Sequence, residues 1–114
     1  MPGVRFLIHS TVENVEAFND LGRRMTAFVR ENEPGTTTYN WFKGDGGHFI
    51  NEDEYADSDA LLTHLTNIGE QGFVDEFMSL TKIESVRVLG AVDEAAKEAL
   101  GAFGAAHFDL FEQR

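Results

Sequence analysis

The chain has 114 residues, 42% of them hydrophobic and 25% charged, with no cysteine. That length favours one domain, the apolar content excludes a disordered chain, and the missing cysteines exclude disulfides, thiolate metal sites and a cysteine nucleophile. A net charge of −11, from 20 acids against 9 bases, repels phosphate backbones and anionic lipid, so neither nucleic acid nor a membrane is an expected partner. No apolar run approaches a membrane span of about 20 residues, and the start of the chain lacks the basic-then-apolar pattern of a signal peptide. A soluble, cytoplasmic protein is the expectation.

Val4 to His9 alternates at strand period, with Val4, Phe6 and Ile8 on one face and Arg5, Leu7 and His9 on the other. Thr11 and Asn14 are both suitable N-caps for the helix that follows. In that helix Val15, Phe18, Leu21, Met25, Phe28 and Val29 recur at spacings of three and four. Pro34 stops it, and Gly35 is expected to take a positive φ at the turn out of the helix. Thr36 to Lys43 is rich in strand formers. Gly44 to Gly47 marks a turn, and His48 to Tyr55 reads as the returning strand of a hairpin. Asp57 and Ser58 cap a helix carrying Leu61, Leu62, Leu65 and Ile68. Gly69 and Gly72 are expected to interrupt it before a second helical segment with Phe73, Val74, Phe77 and Met78. Thr81 to Leu89 is a fourth strand, closed by Gly90.

The order βαββαβ predicts an α+β, ferredoxin-like antiparallel sheet with helices on one face, spanning residues 1–90. Residues 91–114 form a C-terminal extension of the same domain. It holds a short helix from Asp93 to Leu100, breaks at Gly101 and Gly104, and a strand or extended arm from Ala106 to Phe111. Two helices cover one sheet face only. The large apolar residues on the other face predict a homodimer that buries it, with the C-terminal arm helping to close the contact.

Three stretches resemble the antibiotic biosynthesis monooxygenase family. They are Glu33-Pro34-Gly35 followed by Tyr39, the strand His48 to Asp57 with its acid and aromatic ending, and the helix Ala60-Leu61-Leu62-Thr63-His64-Leu65. The resemblance covers Val4 to Gly90. It implies a dimeric α/β barrel of two ferredoxin-like protomers, with a ligand cleft between the helices and sheet of each. It also implies oxidation of a phenol or quinol by molecular oxygen without a cofactor. The chain departs from the family pattern at Asp53, where Glu is usual, and at Tyr55, where Trp is usual. It lacks the first-strand Asn and the helical Trp of the haem-degrading branch, which argues against haem.

Such oxidation needs a proton acceptor, donors for a developing oxyanion and a dry pocket. His64, between Leu61 and Leu65 on the second helix, is the candidate base, and a structural histidine is the competing reading. Tyr39 and Asn51 are candidate catalytic donors. Trp41 shares a face with Tyr39 and can stack on a planar ligand. Phe73 and Phe77 read as ligand wall or core. His9 and His48 read as ligand-binding or as edge and turn residues. The four histidines show no local metal spacing and no Gly-rich phosphate loop precedes a helix, so neither metal nor cofactor is expected. A non-catalytic protein holding a small apolar ligand on the same dimer is the alternative.

Overall fold

The computed structural model describes residues 3–114. The elements are β1 (Val4–Val12), α1 (Val15–Asn32), β2 (Thr36–Lys43), a 3-10 turn (Asp45–Gly47), β3 (His48–Tyr55), α2 (Ser58–Glu70), α3 (Phe73–Leu80), β4 (Thr81–Leu89), α4 (Glu94–Gly101) and β5 (Ala106–Phe108). The sheet order is β2-β3-β1-β4-β5. The first four strands pair antiparallel, as the ferredoxin-like plan requires. β5 is parallel to β4, which makes the five-stranded sheet mixed.

β1 runs three residues beyond its alternating stretch. Ser10 and Thr11 pair with both Phe49–His48 and Ile83–Lys82. Two neighbouring strands thus hold residues whose own strand signal is weak. This places Thr11 in the sheet, where its hydroxyl meets Glu84 at 3.2 Å. The cap of α1 is therefore Asn14, whose Oδ1 accepts from the Ala17 amide at 3.1 Å.

Two glycines depart from the expectation. Gly35 is not in the positive-φ region. A Cβ there would lie 2.7 Å from the Cβ of Ala60, so glycine is needed for the close passage of α2. α2 continues through Gly69 to Glu70, and the break falls at Gly72, with φ +77°.

Helices α1 to α3 cover one sheet face in two apolar clusters. Val4, Phe6, Tyr55, Leu61, Val86 and Val88 form one, together with Ala96 and Leu100 of α4. Phe18, Leu21, Met25, Phe49, Ile68 and Phe77 form most of the other. Ile8, Leu65 and Ile83 touch both. The extension packs into the first cluster through Ala96 and Leu100, both fully buried. Beside the β4–β5 pairing, the Asp93 amide donates to Ser58 Oγ at 3.1 Å and the Gly90 amide donates to the Phe108 carbonyl at 2.9 Å. No helix among the described residues is long and apolar enough to cross a membrane.

Candidate functional site

A cavity opens at the seam between the two clusters. Its volume is about 50 Å³, room for roughly three to five waters. Phe6, Ile8, Leu65, Ile83 and Val86 supply apolar wall, and Phe103 reaches it from the extension. Its polar groups come from three elements. β2 and β3 pair Tyr39 with Asp53 and Trp41 with Asn51. Because side chains alternate along a strand, all four point to the helix side. α2 adds His64, which sits with its ring 5.2 Å from that of Tyr39.

His64 is 2% exposed, and its Nδ1 lies 2.8 Å from Glu33 Oε1. Glu33 stands at the C-cap of α1, where the chain turns through Pro34 and Gly35. Thr36 Oγ1 donates to the same carboxylate at 2.8 Å, and Asn67 Nδ2 donates at 3.1 Å. Burial would push the Glu33 carboxyl up. The hydrogen bond and charge of His64, then Asn67 and Thr36, outweigh burial and hold it below the ordinary carboxylate range. An ionised Glu33 accepts a proton-bearing Nδ1, which leaves the lone pair of a neutral ring on Nε2.

Asp53 is the second buried acid. Burial raises its pKa from 3.8 to about 7, although His64 and the Tyr55 hydrogen bond pull it down. Tyr55 donates to its Oδ2 at 2.8 Å. Its Oδ1 is buried without a hydrogen-bond partner. Trp41 Nε1 and Asn51 Oδ1 are likewise buried and unpartnered. Buried polar atoms without partners are rare in folded chains, and here three belong to residues lining one cavity. Burial, then the charges of Asp53 and Glu33, push the Tyr39 phenol well up, so it keeps its proton. The arrangement combines an oriented base, an acid balanced near neutrality and unused hydrogen-bonding capacity in an apolar enclosure.

Of the residues singled out from the sequence, His64, Tyr39, Asn51, Trp41 and Phe77 come together at the cavity. Phe73 does not line it and packs edge-on against Phe28 at 5.9 Å. His9 and His48 lie on the opposite sheet face, where His9 Nε2 and His48 Nδ1 are 2.9 Å apart. Sequence reasoning passes over Glu33 as a site residue. Its signal there is an acid beside Pro-Gly at a helix end, and only contacts 31 and 34 residues away explain it. Among the described residues no three His, Asp or Glu side chains converge as metal ligands.

Solved structures share this architecture. MupZ from Pseudomonas fluorescens superposes with a TM-score of 0.84 at 23% identity, covering 100% of this chain and 94% of MupZ. SnoaB from Streptomyces nogalater, a cofactor-independent oxygenase, gives 0.68 at 20% identity, covering 82% and 96%. An antibiotic biosynthesis monooxygenase gives 0.63 at 20% identity, covering 79% and 99%. This chain has their fold. No protein-family model matches it, and no curated protein does.

Proposed function

We propose that this chain is a member of the antibiotic biosynthesis monooxygenase family that oxidises a small phenol or quinol with molecular oxygen and no cofactor. The observation that carries the reading is the buried His64–Glu33 pair at the wall of an apolar cavity that also holds Asp53.

His64 Nε2 accepts the proton of the bound phenol, and Glu33 stabilises the imidazolium that forms. The apolar walls leave the resulting anion poorly solvated and electron-rich. It gives an electron to oxygen, and the two radicals join as a carbon-bound peroxide. Asp53, as the neutral acid, protonates the outer peroxide oxygen. Loss of the remaining hydrogen on that carbon breaks the O–O bond. One oxygen atom stays as a carbonyl and the other leaves as water, so the O–H and one ring C–H of the phenol, with O₂, give the two C=O groups of a quinone and H₂O. Tyr39, Asn51 and Trp41 supply donors for the oxyanion.

The same reading makes the protein a cytoplasmic homodimer. Phe42, Ile50 and Phe108 are about half exposed on the outer sheet face, and Phe111 of the arm is 97% exposed. Burying that face against a second copy covers them.

The test is oxygen uptake by purified protein with a panel of quinols and anthrone-type phenols, without added flavin or metal. Uptake above the buffer rate, with one atom of ¹⁸O₂ in the product and no effect of chelator, is expected. No uptake with any compound overturns the reading in favour of a ligand-binding protein.

A further inference from the structure

Helix α1 carries a second pattern that the cavity does not use. Asn19, Gly22, Arg23, Thr26 and Arg30 fall at spacings of three and four, on one face, and none is acidic. In a chain with 20 acids that stripe stands out. Arg23 and Arg30 are exposed, and among the described residues no carboxylate lies within ion-pair distance of either. Their neighbour Arg24, by contrast, is held by Asp20 and Glu76. Two helical turns, about 10 Å, separate the two free cations.

The stripe forms one wall of a groove of about 450 Å³, whose other wall is aromatic: Trp41, Phe18 and Phe49. That volume is in the range of small-molecule sites. Gly22 shapes it. A Cβ there would already touch the Trp41 ring at 3.4 Å, and any longer side chain would fill the space over the indole. Glycine inside a helix is destabilising, and here it leaves the face of the Trp41 ring uncovered. Trp41 also lines the cavity, so one indole borders both spaces.

We propose that this groove binds the carboxylate end of a planar aromatic ligand whose ring system lies against Trp41. The inference rests on the reading of the cavity as the ligand site, and it narrows the substrate class to aromatic acids. Arginine suits a carboxylate because its planar fork bonds both oxygens and its face stacks on aromatic rings. A polyanion such as nucleic acid would meet the net charge of −11. A single small acid needs only the local cationic rim.

Trp41 is the chain's only tryptophan, so its fluorescence reports binding directly and without turnover. The probes are anthraquinone-2-carboxylate and its methyl ester. Both should quench Trp41 to saturation. The acid should bind at least about tenfold more tightly at low salt, the usual worth of hydrogen bonds to a charged group, and the advantage should shrink in 0.5 M salt. The double variant Arg23→Gln/Arg30→Gln should reduce the acid to the ester's affinity and leave the ester's own affinity unchanged, which also shows that the variant is folded. Equal affinity of acid and ester in the unaltered protein overturns the groove and leaves the cavity reading standing. An acid preference that survives in the double variant overturns it as well. If neither probe quenches, the groove falls, and the cavity reading is decided separately by the oxygen-uptake panel.

Discussion

Glu52, Asp53 and Glu54 are consecutive on β3 and have opposite fates. Glu52 and Glu54 face outward, within 3.6 Å of Arg5 and in hydrogen bonds with Asn40 and Thr38. Asp53 faces inward, 3% exposed, with one oxygen on Tyr55 and the other on nothing. The outer face of the sheet pairs its polar groups and leaves apolar ones open, while the inner face covers its apolar groups and leaves polar ones unpaired. Strand alternation puts identical chemistry into two dielectric media 3.4 Å apart along one backbone. Unpaired polarity collects where burial makes it reactive, and that is the mark of a site kept at some cost in stability.

The largest expected effect tests the inner face as chemistry. His64→Ala should lower the oxygenation rate by roughly 10²–10⁴, the range for a positioned general base. Glu33→Gln should lower it less, since the imidazole remains. The outer-face control Glu52→Gln should leave the rate unchanged. Rates are measured as oxygen uptake above buffer. A silent His64→Ala in an active protein would move the base to Asp53, since Tyr39 keeps its proton.

Asp53 then separates the faces by stability. Folded Asp53 holds its proton up to about pH 7, against 3.8 ordinarily. Between those values the folded chain binds the extra proton, so this group's contribution falls as pH rises and is fully lost above 7. The loss is on the order of 4 kcal/mol. Glu33 works in the opposite sense. Its carboxyl is held low, so its contribution is present above the ordinary carboxylate range and is lost on acidification below it. Asp53→Asn keeps an acceptor for Tyr55 and removes the charge. The variant should melt higher than the parent at pH 8 and at nearly the same temperature at pH 4. It should also lose the decline in oxygen uptake above pH 7 that ionisation of the acid causes. Glu54→Gln should show no such crossover. Identical melting curves for Asp53→Asn and parent across that range would mean Asp53 is solvated.

The outer face makes its own claim through Ile50, which is 45% exposed. Light scattering should give about 25 kDa, twice the 12.7 kDa protomer. Ile50→Glu should shift that to the protomer mass while circular dichroism stays native, since burying this side chain stabilises the dimer by about 1.5–3 kcal/mol. A parent protein that is monomeric at micromolar concentration removes the barrel.

Most of the fold was legible because it is local. Period-2 alternation marks β1 and the hairpin, the three-and-four spacing marks α1, and Asn14 carries its own cap signal. What was not legible depends on distant partners. Ser10 and Thr11 are strand only because two neighbours hold them. Gly35 is glycine because Ala60, 25 residues on, passes close. At the site, Tyr39 and Trp41 follow from alternation, and His64 follows from its place between Leu61 and Leu65. Glu33 does not follow, because its burial is made by His64 and Asn67 on α2. That His9 and His48 lie on the sheet face opposite the cavity is hidden for a related reason. Both faces of β1 carry apolar residues, so parity alone does not say which one the helices cover.

The smallest expected effect compares two asparagines. Asn40 and Asn51 belong to neighbouring pairs of the hairpin, Asn40–Glu52 and Trp41–Asn51, one facing out and one in. Asn40 donates to Glu52 at 3.3 Å in the open, and Asn51 is 4% exposed with Oδ1 unpartnered. An exposed hydrogen bond contributes little, so Asn40→Leu should change stability by less than about 0.5 kcal/mol. Replacing a buried, unpaired amide by an apolar group of similar shape removes a desolvation penalty, so Asn51→Leu should stabilise the chain by about 1 kcal/mol. Urea unfolding with a shared m-value resolves the two. The gain should come with slower oxygen uptake, since the proposed mechanism has Asn51 Nδ2 donate to the oxyanion. If Asn51→Leu instead destabilises by more than about 1 kcal/mol, the amide is satisfied within the fold, and Asn51 belongs to the core and not to the site.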